Sequence, residues 1–201
     1  MSTLYYFPCI PVFAELIAQP KIIFDDVSLF KRSTFRNRTI IAGANGIIQL
    51  SIPVVGGRSV NLPYKEIQID YKSEWRRDHY RTLTTVYGNS PFFMYYKDEI
   101  LALYEKKPNS LFEWNLICLQ WVLKKLKLEI PISTENRGFE NLVSEAPIEQ
   151  YLPNNYTAVS DSGYLKYPQV FEDKIGFKPN LSILDLLFNA GPQTKTLLTC
   201  L

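Results

Sequence analysis

From Arg38 to Val54 the chain reads RTIIAGANGIIQLSIPV, with Asn45-Gly46 set between two apolar runs. A type I′ turn needs positive φ at both central residues, and Asn-Gly adopts that conformation at little cost. This segment therefore predicts an antiparallel hairpin. With the turn centred on Asn45-Gly46, Ile41 faces Leu50 and Thr39 faces Ile52. Ile48, Leu50 and Ile52 alternate with Gln49 and Ser51, so the second strand has one face to bury. The rest of the chain must cover that face.

Before the hairpin, "STLYYFPCIP" predicts a short strand ended by Pro8 and Pro11, and "VFAELIAQ" a helix stopped before Pro20. "KIIFDD" predicts a buried strand ending in Asp25 and Asp26. Strand, helix and strand in that order make a compressed βαβ unit. "EIQIDY" alternates again through Ile67, Ile69 and Tyr71, so residues 1–72 form a strand-rich part.

Residues 73–128 predict helices. Ser73 is placed to cap "EWRRDHYRTLTTVY", which stops at Gly88, and Ser90 with Pro91 opens the next helix. Ser110 and Glu113 form a capping box for Leu111–Leu128. That stretch is apolar nearly all round, so it is expected to be the most buried helix, with Trp114, Leu119, Trp121 and Leu123 in the core. Residues 129–201 hold an irregular, proline-bearing segment and a last helix in "NLSILDLLFNAGP", with Ser182 and Asp185 as a capping pair. The predicted architecture is one α/β domain over residues 1–201. Its N-terminal part is a Rossmann-like mixed sheet with a β-hairpin, followed by a helical region packed on it.

Composition narrows the function. The net charge is +2, too small for bulk attraction to nucleic acid, and the basic runs of the helices carry Glu74 and Asp78 among them. Cys9, Cys118 and Cys200 are odd in number and far apart, with neither a disulfide framework nor zinc spacing, which fits a reducing compartment. The N-terminus lacks the basic and long apolar regions of a signal peptide. Glu113, Asn115 and Gln120 interrupt the longest apolar stretch. A cytoplasmic protein without membrane insertion or a nucleic-acid partner is expected. No P-loop or dinucleotide fingerprint is present, so no cofactor is named, and no metal ligand set is assigned.

The chemistry concentrates in Phe24–Arg38, FDDVSLFKRSTFRNR. Asp25 and Asp26 fall beyond the carboxyl end of a strand, where open α/β sheets bind ligands. Lys31, Arg32, Arg36 and Arg38 follow with no acid among them, and Asn37 lies between the last two. Guanidinium forks match carboxylate and phosphate, so an anionic small molecule such as a nucleotide sugar is the expected ligand. Arg38, anchored by the hairpin strand, is the strongest anion contact. The plainer alternative is a structural network of acids and arginines. Asp26 is a catalytic candidate. His79, the one histidine, is another, although Trp75 and Leu83 beside it suit a packed neutral ring. Cys9, between Pro8 and Pro11, is a third if a cation lowers its pKa, and a buried inert thiol otherwise. Asn189 shares a helical face with Asp185 and is a ligand-binding candidate.

The stretches "IIFDDVSLFKRSTFRNRTI", "NGIIQLSIPV", "WRRDHYRTLTTVYGNSPFF" and "GFKPNLSILDLLFNAGP" together resemble the WbqC-like family of bacterial proteins. The resemblance implies a place in the assembly of O-antigen and other surface polysaccharides. It also implies a transferase moving glycine or another acyl group onto an activated amino sugar. Many members begin with His-Gln-Pro-x-Tyr-x-Pro, where this chain has YYFPCIP, without His or Gln. Family members often carry Glu where this chain has Ala190. A non-catalytic binding or accessory protein of the same pathway is therefore the alternative.

Overall fold

The computed structural model describes residues 2–31, 34–56, 61–135 and 165–201. Arg32, Gly57 and Arg58 lie outside the described residues, as does most of the irregular segment after residue 135. Along the chain come α1 (Ile10–Ile17), β1 (Ile22–Asp25), β2 (Arg38–Gly43), β3 (Gly46–Ser51), a 3-10 turn (Tyr64–Glu66), α2 (Trp75–Tyr87) and α3 (Phe93–Glu105). They are followed by α4 (Leu111–Lys125), β4 (Ile132–Glu135), α5 (Glu172–Ile175), α6 (Ile183–Ala190) and α7 (Thr194–Leu198).

The fold is mixed α/β, but among the described residues the strands form two separate two-stranded sheets. One is β1 parallel to β4, with Ile22 level with Ile132. The other is the β2–β3 hairpin. The single Rossmann-like mixed sheet expected from the sequence is not what joins them. The predicted first strand reduces to one parallel bridge, Ser2 to Phe24. Its backbone is engaged elsewhere: Tyr6 N donates to Phe35 O at 2.9 Å, and Cys9 bridges to Ser182. Phe7 has φ 40, and its carbonyl accepts from Thr39 Oγ1 at 2.8 Å and Ser182 Oγ at 3.0 Å.

The hairpin forms where expected, in a different register. Thr39 pairs with Leu50, Ile41 with Ile48 and Gly43 with Gly46, so the loop is Ala44-Asn45. Asn45 is not among the residues with positive φ, and Gly46, at φ 122, adopts it as the closing residue. The Ile48 side chain lies against Gly43, where a Cβ would make its Cδ1 shift. The shift is two residues, so each side chain keeps its predicted face. β2 is covered on both sides, with Ile41 in the main core and Ile40 in a smaller cluster with Tyr5 and Phe35.

The helices follow their caps. Ser110 Oγ accepts from Glu113 N at 3.1 Å, and Glu113 reaches back to Asn109 N at 3.2 Å, one residue short of a full capping box. Ser73 does not cap α2, whose N-cap is Glu74, and Ser90 Oγ instead donates to Tyr87 O at 2.8 Å. Arg76 closes α3 by donating to the carbonyls of Tyr104, Glu105 and Lys106, a cation at a helix C-terminus. Trp114, Leu119 and Leu123 of α4 are buried as expected. Trp121 is only half-buried, because its indole donates outward to Glu99 at 3.2 Å.

The most enclosed helix is α6 rather than α4. Every α6 residue but Asn189 is buried. Ser182 caps it, accepting from Leu184 N at 3.3 Å. Asp185 was expected to cap as well, but its side chain turns inward. α6 contacts α1, α3, α7 and β2, and so sits between the N- and C-terminal parts.

Leu187→Ala should therefore lower unfolding free energy by about 2–5 kcal/mol. Met94→Ala, on the exposed face of α3, should change it by less than about 0.5 kcal/mol. Urea unfolding of both variants checks this; equal losses would mean that α6 is not the centre of the core.

Candidate functional site

The turn after β1 is built by its first acid. Asp25 Oδ1 accepts from Val27 N at 3.0 Å and Ser28 N at 3.1 Å, the local bonding by which aspartate stabilises turns. The chain then runs antiparallel to residues 62–65. Lys65 N donates to Asp26 O at 2.9 Å, Tyr64 N to Ser28 O at 3.0 Å, and Phe30 N to Leu62 O at 3.0 Å. Continuing that alignment sets Lys31 level with Asn61. Asp26 Oδ1 lies 3.9 Å from Lys65 Nζ, and this buried oxygen has no hydrogen-bond partner among the described residues.

Val55, Gly56, Asn61, Leu62, Glu66, Ile67 and Gln68 line a cleft of about 540 Å³. Leu29, Val55 and Leu62 leave large apolar surfaces open around it. Apolar walls with a few convergent amides and a carboxylate suit a small polar molecule with an apolar face.

The predicted site residues divide between the β1 turn, the hairpin and the interior. Asp25, Asp26 and Lys31 belong to the turn after β1, and none of them is part of the cleft lining. Arg36 lies beneath the same turn and is 2% exposed. Its Nη1 donates to Leu29 O at 2.6 Å and its Nη2 to Ser28 Oγ at 3.2 Å, while the guanidinium lies 5.0 Å from the centre of the Tyr64 ring. Its fork is thus committed to the protein. Asn37 Nδ2 donates to Ile52 O at 3.0 Å and extends the hairpin ladder. Arg38 opens β2, with Nη1 at 3.5 Å from Gln49 Oε1, and is not part of the cleft lining.

Cys9 and His79 are buried away from the turn. Burial pushes the Cys9 thiol up to about 12, so it stays protonated, and a thiolate nucleophile is not what this position provides. His79 Nδ1 lies 3.0 Å from Tyr6 Oη, which also bonds Tyr104 Oη. The histidine ring packs edge-on against Trp75. Burial lowers its pKa to about 4, outweighing the Ser51 backbone and Asp78, which raise it. The ring is the packed, neutral imidazole of the plainer expectation.

Asn189 Nδ2 donates to Asp185 O at 2.8 Å and belongs to a second polar group. Asp185 is 1% exposed, yet its carboxylate accepts from Tyr87 Oη at 2.6 Å and Tyr167 Oη at 2.7 Å. Burial raises its pKa to about 6 against the pull of Tyr87, Tyr167 and Asn189. The signal was present in the sequence, since "ILDLLF" places a carboxylate where every neighbour is apolar. Lys65, by contrast, carries no sequence signal.

The two buried groups oppose each other in pH. Where the unfolded chain protonates His79, the folded chain does not, so its contribution to stability is lost as pH falls from about 6.5 through about 4. Folded Asp185 keeps a proton that the unfolded chain has released. Its contribution is complete below 3.8 and is lost as pH rises through about 6. Together they should flatten the stability profile between pH 4 and 6. Relative to wild type, Asp185→Asn should gain stability as pH rises across that window, by up to about 3 kcal/mol, and His79→Gln should lose it. Urea midpoints at half-unit pH steps read this; curves parallel to wild type would contradict the assigned titrations.

Comparison with known proteins bears on identity. No solved structure matches this chain. A protein of Mycobacterium tuberculosis (strain ATCC 25618 / H37Rv), "Uncharacterized protein Rv1507c", is 26% identical over 199 residues, covering 86% of this chain and 84% of its own length. The model of the WbqC-like protein family matches residues 4–151, a span that includes the β1 turn, the hairpin, the cleft and α2–α4, while α6 lies beyond it. On that match, the chain belongs to the WbqC-like protein family.

Proposed function

We propose that the protein is a cytoplasmic transferase of bacterial surface-polysaccharide assembly. It takes an activated, anionic sugar such as a nucleotide sugar at the cleft beside Asp26 and Lys65, and moves glycine or another acyl group onto its amino group. The observation that carries this reading is the Asp26 oxygen: buried, without a hydrogen-bond partner among the described residues, and 3.9 Å from an ammonium. The Asp26 side chain remains 18% exposed, so its carboxylate can accept a proton from an incoming amine. The amine nitrogen attacks the acyl carbonyl, the donor's leaving group departs, and Asp26 takes the proton the nitrogen loses. Lys65 and Lys31 are the cations for the anionic part of the sugar. Because the Cys9 thiol stays protonated, transfer is direct, with no acyl-enzyme.

A binding or accessory role is the second reading. It is favoured by the burial of both Cys9 and His79, two of the three catalytic candidates.

Thermal shift against a panel of nucleotide sugars, followed by mass spectrometry with aminoacyl and acyl donors, separates the two. A ligand at a hundred times its dissociation constant should add about 2.7 kcal/mol of stability. Asp26→Asn should keep that shift and lose product formation by about a hundredfold or more. Binding without product from any donor supports the accessory role. A product yield unchanged in Asp26→Asn removes Asp26 from the chemistry.

A further inference from the structure

The β2–β3 hairpin has two outer edges, and the structure treats them differently. Gly43 and Gly46 close the Ala44-Asn45 loop, so they form a hydrogen-bonded pair. Alternation makes Ile41–Ile48 and Thr39–Leu50 hydrogen-bonded pairs as well. It turns the N–H and C=O of Ile40, Ile47, Gln49 and Ser51 away from the hairpin. On the β2 side that outward row is covered, with Ser182 N donating to Ile40 O at 2.9 Å. On the β3 side the Ser51 backbone is bonded to the His79 ring, so α2 closes the edge at that end. Ile47 and Gln49 lie beyond it. Among the described residues, their outward N–H and C=O groups meet no partner.

Proteins usually protect such an edge with a lysine, a proline or a bulge. β3 has none of these, its register with β2 is continuous, and no charged residue occurs from Thr39 to Val55. Gln49 is exposed, and Ile47 and Ile48 are half-buried. Ile48 shares a face with Ile41 and Leu50 of the main core and stands at its open margin. An outward row of donors and acceptors is complementary in partial charge to its own antiparallel copy. About a two-fold axis at Ile48, Ile47 of one chain lies opposite Gln49 of the other, and the outward groups of both residues are satisfied on both chains. Ile48 then meets its own copy in the close, non-hydrogen-bonded position, where cross-strand side chains touch. No like charges are brought together, and the pairing ends at Ser51, where α2 takes over.

We propose that the β3 edge is the interface of a two-fold dimer, in which residues 47–49 of two copies pair antiparallel and join the hairpins into one continuous sheet. A strand from another protein would satisfy the backbone alone; a second copy also matches Ile48 with an equal apolar side chain. So short a contact falls below the roughly 800 Å² a side of a standard interface, so the dimer is weak, with a dissociation constant of about 10–500 µM.

Sedimentation velocity of the full chain between about 1 µM and 1 mM should show a concentration-dependent shift from monomer to dimer. Gln49→Pro removes an outward N–H that the hairpin does not use and should weaken the dimer by about tenfold or more. Gln49→Lys keeps the backbone, sets like charges across the axis and should weaken it as well. Crosslinking reads the register. In an antiparallel non-hydrogen-bonded pair the Cα atoms are about 4.5 Å apart, within disulfide reach. Cys9 and Cys118 are buried, so Ile48→Cys in a Cys200→Ser background leaves the introduced thiol as the accessible one. A mild thiol oxidant should couple it into a covalent dimer in about tenfold or greater yield than Gln49→Cys in the same background. Circular dichroism checks the fold of each variant. A wild-type chain that stays monomeric throughout the range would overturn the proposal, whether the edge is then covered within the chain or left to another protein's strand. So would a dimer indifferent to both Gln49→Pro and Gln49→Lys, or equal coupling of the two cysteine variants.

Discussion

Arg36 and Tyr64 stand where four stretches of chain meet. The Arg36 guanidinium holds Ser28 and Leu29 of the β1 turn and lies over Tyr64. The Arg36 carbonyl accepts from Asn115 of α4 at 2.6 Å, and Tyr64 Oη donates to Leu4 O at 2.9 Å. A buried cation is costly unless carbonyls, hydroxyls and a π face surround it, and here they do. The turn, the 3-10 segment, the N-terminus and α4 thus converge on Arg36 and Tyr64.

Polar groups in this molecule do two kinds of work. Inside, Tyr6, His79 and Tyr104 form a bonded chain, as do Tyr87, Asp185, Tyr167 and Gln169. Satisfied networks of this kind select one packing out of many similar apolar ones. In the β1 turn, the partly exposed Asp26 faces Lys65 at 3.9 Å, beyond hydrogen-bond length. The difference between the two kinds is completeness of hydrogen bonding, a property that residue type alone does not convey.

Local signals in the sequence were legible because local physics produces them. Ser110 and Ser182 cap the helices they were expected to cap, and the Asn-Gly pair located the hairpin. Register was less legible: Gly43 pairs with Gly46, so the loop falls on Ala44-Asn45 rather than on the turn dipeptide. Arg36 and Arg38 look alike two residues apart, yet one enters the core and the other joins the hairpin face. The deciding partners, Tyr64 and Asn115, are distant in sequence. The pairing of β1 with β4 is of the same kind, because nothing near Ile22 points to Ile132. Asp26 was picked out by its place at a strand end, whereas Lys65 became visible only when the chain was folded.

The bond from Ser182 Oγ to Phe7 O closes a separation of 175 residues, and Ile10 N donates to Leu181 O at 2.9 Å nearby. Loop-closure entropy must be met before such contacts return anything, so they form late and slow the whole reaction. During synthesis, α1 emerges long before its partner α6. Until then its apolar face, with Phe13 and Leu16, has no complete surface to cover it. The nascent chain therefore carries an unfinished hydrophobic face until α6 has been made, a natural point for chaperone capture.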